Sequence, residues 1–307
     1  MGSNIIKSLG ASLILAASML PLSGCSFRSI YNNKATAPAH VTDNTCATRV
    51  LMNLPLPERQ IPVVIYDFQD QTGQYKNNGA YTDYSTAVTR GGYSILVKAL
   101  MDASQGNWFM LAERNALKNL LQERQIIKST RDDYNASAGP EDKKIQPLPP
   151  MLYGGTMIEG GIISYDSNIM SGGIGATYLG IGGSAQYRRD LVTVYLRAVS
   201  VQTGLVLLSV QSSKTIYSAS VDGTFMKYLT VGNLFQSEAG LAINEPVQFG
   251  VRQAIETAVY SMIMEGAMKH LWEFGDKNAG QKAIAHYLAR RSQIHKDMPK
   301  ETGSDKK

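Results

Sequence analysis

The sequence predicts a mixed α/β domain that carries two inserted β-hairpins and follows a lipid-anchored leader. Three observations lead there. Apolar, β-branched runs alternate with helical stripes from residue 61 to 128, the order of a layered α/β domain. A glycine-rich stretch, "SNIMSGGIGATYLGIGGSAQYRRD" at 167–190, keeps a period of two on its flanks. A short apolar run behind Lys7 closes in "LSGC" at Cys25.

The leader bounds the compartment. An apolar run this short, led by a positive charge and closed by small residues, suits an export signal better than a spanning helix. Leu22, Ser23, Gly24 and Cys25 fit a lipobox, which makes 1–24 a signal peptide and Cys25 the acylated residue. Ser26 follows where an aspartate would indicate retention in the inner membrane, so the expected location is the outer membrane, with the domain in the periplasm. Once Cys25 carries lipid only Cys46 is left, too few thiols for an internal disulfide. It is expected as a free thiol in a mobile leader.

Residues 25–60 mix Asn, Thr, Pro and Ala without a period and read as an extended tether, with the domain starting near Ile61. "IPVVIYDF" at 61–68 is a nearly continuous apolar run, as for a central strand covered on both faces. A loop at 69–85 comes next. Ile95, Leu96, Ala99, Leu100 and Ala103 then recur at helical spacing, "WFMLAE" at 108–113 reads as a short strand, and Leu117, Leu120 and Leu121 with "QERQIIK" predict a second helix. Charge, Gly and Pro at 130–150 predict a surface loop. Near the other end Asn244 precedes Glu245 and Pro246, a cap and a first-turn proline, and Val251, Ile255, Ala258, Val259, Met262 and Ile263 trace a long helix packed on the sheet. The α/β domain is thus 61–159 and 233–275, and 276–307 is a basic amphipathic extension.

The glycine stretch is not a nucleotide loop. Gly180, Gly182 and Ala185 form a GxGxxA, but the residues after it, "DLVTVYLRAV", alternate as a strand and open no helix. No GxxxxGK[ST] occurs, and no cofactor is expected. A flexible linker would not hold a period of two, whereas Ile163, Tyr165 and Ile169 fall on one parity and Thr177, Leu179 and Ile181 on another strand. Residues 160–190 therefore read as one hairpin, 191–205 as a strand segment at the periplasmic domain, and 206–232, with Asp222 and Gly223 at its turn, as a second hairpin. Arms of roughly ten residues are long enough to cross a bilayer. Strands in hydrocarbon must close into a barrel, which would require a ring of identical subunits. A soluble hairpin pair on a periplasmic domain is the other reading of the same alternation.

Charge excludes one partner class. The net charge of +5 comes from Lys7 and from 276–307, where eight Lys/Arg face four Asp/Glu, so the body from 25 to 275 is neutral. A nucleic-acid binder would carry its basic footprint on the folded surface, and no nucleic acid is expected here.

"QDQTGQYK" (69–76), "STAV" (85–88), "ERQIIK" (123–128), "SNIMSGGIGATYLGIG" (167–182), "QY" (186–187), "NEPV" (244–247) and "AIETAV" (254–259) together resemble the CsgG family, the curli secretion channel of the bacterial outer membrane. The likeness runs from the lipobox to about residue 274. It implies a lipid-anchored homo-oligomeric ring of about nine copies, each giving two hairpins to one shared barrel in the lipid bilayer. It further implies export of unfolded, amyloid-forming fibre subunits without nucleotide hydrolysis, assisted by a periplasmic capping protein and a surface accessory protein. In that family the loop after the first strand narrows the pore with stacked rings of a tyrosine, an asparagine and a phenylalanine. Aligned from "GQYK" to "STAV", Tyr84 takes the phenylalanine position, Asp83 the asparagine and Asn78 the tyrosine, with Tyr81 as its substitute because this loop has an extra residue. An aromatic ring at Tyr84 offers area and stiffness for little entropy, and a ring of Asp83 carboxylates would favour cations.

No catalytic pattern accompanies these. His40, His270, His286 and His295 lack metal-ligand spacing, no GxSxG or paired Cys occurs, and Asp67 and Asp70 read as turn formers at a strand end. The chain is not expected to be an enzyme. The alternative is a periplasmic lipoprotein that docks on and regulates an envelope partner without forming a pore.

Overall fold

"IPVVIYDFQD" forms β1 (Ile61–Asp70), with Val63, Val64 and Ile65 buried in succession before Tyr66 and Asp67 emerge. β1 is an inner strand, as its apolar run predicts. The computed structural model describes residues 41, 44–72, 91–139, 142–171, 186–221, 225–229 and 246–297. The lipobox with Cys25, the loop residues Asn78, Tyr81, Asp83 and Tyr84, the glycines from 172 to 183, the 222–223 turn and the Asn244 cap lie outside them.

The chain continues through α2 (Gly92–Asp102), β2 (Phe109–Glu113) and α3 (Leu117–Ser137). Then come β3 (Thr156–Ser171), β4 (Gln186–Ser200), β5 (Val206–Val221) and β6 (Phe225–Leu229). Helices α4 (Pro246–Met268) and α5 (Lys277–Asp297) complete it. The six strands make one open sheet in the order β2-β1-β3-β4-β5-β6. β1 runs parallel to β2 and β3, and every later pairing is antiparallel. The result is a mixed α/β fold.

One face of the sheet is apolar: Ile158, Ile162, Val192, Val194, Leu196, Leu208 and Val210 are buried. α4 lies over it, with Gly250 against Ile216 and Ser212 Oγ donating to the Ala254 carbonyl. Its stripe of Val251, Ile255, Ala258, Val259, Met262 and Ile263 is fully buried, each large side chain contributing about 1.5–3 kcal/mol. α2 adds Leu96, Ala99 and Leu100. The opposite face is polar and open, with a Thr193–Ser213 hydroxyl pair at 2.9 Å and Arg197 donating through Nε to Glu159 at 2.7 Å. Among the described residues no helix is long and apolar enough to cross a membrane.

Two expectations are corrected. The stretch 25–60 is not wholly an extended tether, because α1 (Cys46–Met52) forms within it. Thr45 caps α1 and exchanges hydrogen bonds with Thr48, while Leu51 is fully buried. Both threonine hydroxyls donate to Glu256 of α4, which also accepts from Arg252 Nε at 2.9 Å. Seven residues are too few to print a helical period. Cys46 is consequently held in α1, half-buried, with Arg49 Nη2 at 3.0 Å from its sulfur, and is not in a mobile leader.

Second, α3 runs on to Ser137, through a segment expected to be loop from 130. Its hydroxyls explain this: Thr130 and Ser137 donate back to the carbonyls of Ile126 and Asp133, satisfying themselves inside the helix. The helix stops ahead of Gly139 and Pro140. α3 buries no residue; instead 145–149 runs along it, with Asn135 bonded both ways to Ile145 and Arg131 to the Gln146 carbonyl. β4 is a single strand from Gln186 to Ser200 and runs through the division expected at 190/191.

Candidate functional site, where the loop and the hairpins leave the sheet

β1 ends at Asp70, opposite Ile162 of β3. Asp70 Oδ1 accepts from the Thr72 amide at 3.0 Å and its hydroxyl at 2.7 Å, a side-chain turn at the end of β1. The expectation that Asp70 forms a turn holds. Gln71 is pinned to β3 by its amide on the Ile162 carbonyl at 2.9 Å, and its side chain donates to Tyr195 OH at 3.3 Å. Where the loop returns, Gly92 lies on the Phe68 ring: a Cβ there would be 2.5 Å from Cδ1. Exit and return are thus anchored on the same few residues of β1.

A second tether joins the return to β2. Tyr93, in the first turn of α2, donates its hydroxyl to Glu113 at 3.1 Å, and Glu113 also accepts from the Ala116 amide at 2.9 Å. That amide holds the Glu113 carboxyl below its usual range, against a partial burial that works the other way, with the Tyr93 bond helping. Burial first, and the Glu113 carboxylate second, push the Tyr93 phenol up to about 12.

The hairpins leave from the same end. Gly160 and Gly161 let β3 pass between β1 and β4, since a Cβ on Gly161 would be 2.5 Å from the Gln69 carbonyl oxygen and one on Gly160 would strike Leu196. Just where β1 stops, the register slips at Ile163, which stands out of the pairing and is more than one-third exposed. The bulge removes Ile163 from the parity it was expected to share with Tyr165. Tyr165 then faces Val192 and donates its hydroxyl to Asp190, fully buried, at 3.3 Å.

From there β3 and β4 continue paired to Ser171 and Gln186, and β5 and β6 to Val221 and Phe225. α4 meets the sheet at the Asp190–Ile216 rung, where Gly250 lies against Ile216. Past the end of β1 at Asp70–Ile162 the arms run on at about 3.3 Å per residue, side by side through the β4–β5 pairing. Within the expected hairpins at 160–190 and 206–232, β3–β4 and β5–β6 are antiparallel pairings in one sheet, and β1 ends beside the first of them at Asp70–Ile162. Sequence reading missed Glu113, Gly161, Asp190 and Tyr165 as the residues that build this end. A period of two says which face a residue takes but not which rung carries a buried acid.

The protein-family model for the curli production assembly/transport component CsgG matches residues 46–290. Relatives of the same description from Salmonella typhimurium and Escherichia coli K12 are 37% identical over 272 residues, 89% of this chain and 94% of theirs. The Citrobacter koseri relative is 38% identical over the same length. Among solved structures, lipoprotein GNA1162 from Neisseria meningitidis aligns at a TM-score of 0.26 and 10% identity, covering 53% of this chain and 88% of that one, too loose a likeness to bear on function. The family match begins in α1 and ends in α5, so both elements, one within the expected tether and one within the expected extension, are parts of the common domain. By a match over most of its length and by relatives this similar, the chain belongs to the CsgG family of curli production assembly/transport components.

Proposed function

We propose that the chain is an outer-membrane lipoprotein channel that exports unfolded curli-type amyloid subunits without hydrolysing nucleotide. The observation that carries this reading is the pair of adjacent hairpin pairings that extend past the end of β1 at Asp70. Family membership supports it, since the relatives are named for curli production and transport. In this reading Cys25 carries the lipid. The hairpins of about nine copies close into one barrel, because strand edges left open in hydrocarbon would expose unpaired amides. The chain acts by passage and not by catalysis, with a periplasmic capping protein and a surface accessory protein as partners.

The pore constriction is assigned to the loop expected at 69–85, in its part beyond the end of β1. Tyr84 forms the narrow apolar ring, Asp83 a carboxylate ring beside it, and Asn78 or Tyr81 the third. Roots fixed at Asp70, Gln71, Gly92 and Tyr93 would hold such rings in register while leaving their side chains to the passing chain.

Single-channel current through the lipidated, detergent-purified protein in a planar bilayer tests the reading. Large steady steps that grow in Tyr84→Ala are expected. Silence from a folded preparation would instead favour a lipoprotein that docks on an envelope partner. Asp83→Asn should reduce cation preference; unchanged selectivity would remove Asp83 from the lumen.

A further inference from the structure

α1, α4 and α5 enclose a groove of about 420 Å³. Its floor is apolar, made by Val50, Leu54 and Ala283, with the Tyr260 ring as a wall. That ring is held edge-on to Tyr287, centroids 5.7 Å apart. Its rim is basic: Arg49 comes from α1, and Lys282 and His286 stand one turn apart on α5. Arg290, a further turn along, is close enough for its charge to act on the Tyr260 phenol.

Among the described residues no carboxylate lines this groove, and none pairs with Lys282, His286 or Arg290. Two acids of α4 are engaged elsewhere. Glu256 serves Thr45, Thr48 and Arg252, and Glu265 accepts from Tyr287 at 2.9 Å and Arg291 at 2.6 Å. An apolar floor edged by Lys282, with Arg290 a further two turns along, is complementary to a chain that alternates aliphatic side chains with carboxylates. The volume lies within the roughly 300–1,000 Å³ of ligand pockets and suits a short extended segment.

The groove's position selects the kind of partner. The Leu54 and Pro55 carbonyls accept from Ser104 Oγ at 2.7 Å and Trp108 Nε1 at 3.1 Å, and Trp108 in turn bonds the Ile61 amide. That is the end of the sheet where β1 and β2 begin, opposite the end from which the hairpins project. With the hairpins in the bilayer, a step that rests on the channel reading, the groove faces away from lipid headgroups and toward soluble protein. We propose that the groove between α1, α4 and α5 docks an acidic, amphipathic peptide segment of a partner protein.

Random twelve-residue peptides displayed on phage, selected on the full-length detergent-solubilised protein and counter-selected on Lys282→Glu, test this. Both Lys282 and His286 are exposed, so substitution there leaves the core intact. Enriched peptides are expected to pair Asp or Glu with Leu, Ile, Val or Phe. They should bind at least about tenfold more weakly to Lys282→Glu or His286→Glu and weaken as salt rises. Enriched peptides without carboxylates, binding that survives both substitutions, or no enrichment would overturn the proposal. Displacement by phosphatidylglycerol vesicles but not by phosphatidylethanolamine vesicles would also overturn it, by giving the groove to a headgroup. Bilayer current separates the two readings. Lys282→Glu should conduct like the unaltered protein, so lost peptide binding with intact current is a result about the groove, and absent current with intact peptide binding is a result about the channel.

Discussion

The two ends of the sheet are built on opposite plans. At the end where β1 and β2 start, Trp108, Phe109, Trp272 and Phe274 interlock edge-on, with Trp108 and Phe274 centroids 5.2 Å apart. Helix α4, α2 and the cap of α1 close over the adjoining core. At the other end directional hydrogen bonds set the positions: Asp70 with Thr72, Gln71 with Ile162, Tyr93 with Glu113, Tyr165 with Asp190. The first plan supplies stability through dispersion and apolar burial. The second fixes positions, because directional bonds specify geometry for little net free energy. Loss at the aromatic end should unfold the domain, and loss at the hairpin end should misplace the segments that leave it.

The largest effect is expected at the packed end. Trp108→Ala removes a fully buried ring and its three aromatic neighbours' contacts, and should cost about 3–5 kcal/mol in denaturant unfolding of the solubilised protein. A cost under about 1 kcal/mol would mean that the cluster is not the anchor of the core.

Next comes Glu256→Ala. It strips both α1 threonines and Arg252 of their acceptor and leaves Arg252 largely buried without its partner, a change expected to cost about 3 kcal/mol. Hydrogen exchange should show the amides of Thr48 to Leu51 losing protection first. Uniform loss across α4 as well would show that α1 is no separate cooperative unit.

At the opposite end Gly161→Ala tests geometry more than stability. Its Cβ would press on the Gln69 carbonyl and force β1 and β3 apart, at about 1–3 kcal/mol. The specific sign is faster protease cleavage within 73–90 while the aromatic end stays protected. If cleavage there is unchanged, the loop roots do not depend on the β1–β3 approach.

The same contrast explains what the sequence made legible. Packing leaves a period: the apolar run of β1, the stripe of α4 and the alternation of Val192, Val194, Leu196 and Ala198 could all be read directly, and with them the layered fold. Hydrogen-bond placement leaves none. Nothing in the spelling of 44–52 distinguishes the Thr45–Thr48 cap from loop polarity, because its reciprocal partner is a threonine and its acceptor, Glu256, lies more than two hundred residues away. The bulge at Ile163 is invisible for a related reason: a single slipped rung changes parity, and only the strand opposite reveals it. Those same local bonds build the root of the candidate site, so the site was foreseen as a loop and a glycine stretch without the residues that aim them.

The smallest effect concerns the Tyr93–Glu113 tether. The Tyr93 pKa is raised by the fold to about 12 from 10.0, so its contribution is complete below pH 10 and is lost as pH rises from 10 toward 12, where the unfolded chain gives up the proton first. The Glu113 carboxyl is depressed, so its contribution is present above the unfolded carboxylate range and lost as pH falls through the lower folded value. Tyr93→Phe should therefore remove the part of the alkaline loss that lies between pH 10 and 12. It should soften the acid limb only in part, since the Ala116 amide, the larger cause at Glu113, stays in place. Denaturation midpoints of both proteins across pH would show this as a difference that shrinks above pH 10. A difference constant to pH 12 would mean that Tyr93 titrates alike folded and unfolded, and that the return of the loop is held by the Gly92–Phe68 contact alone.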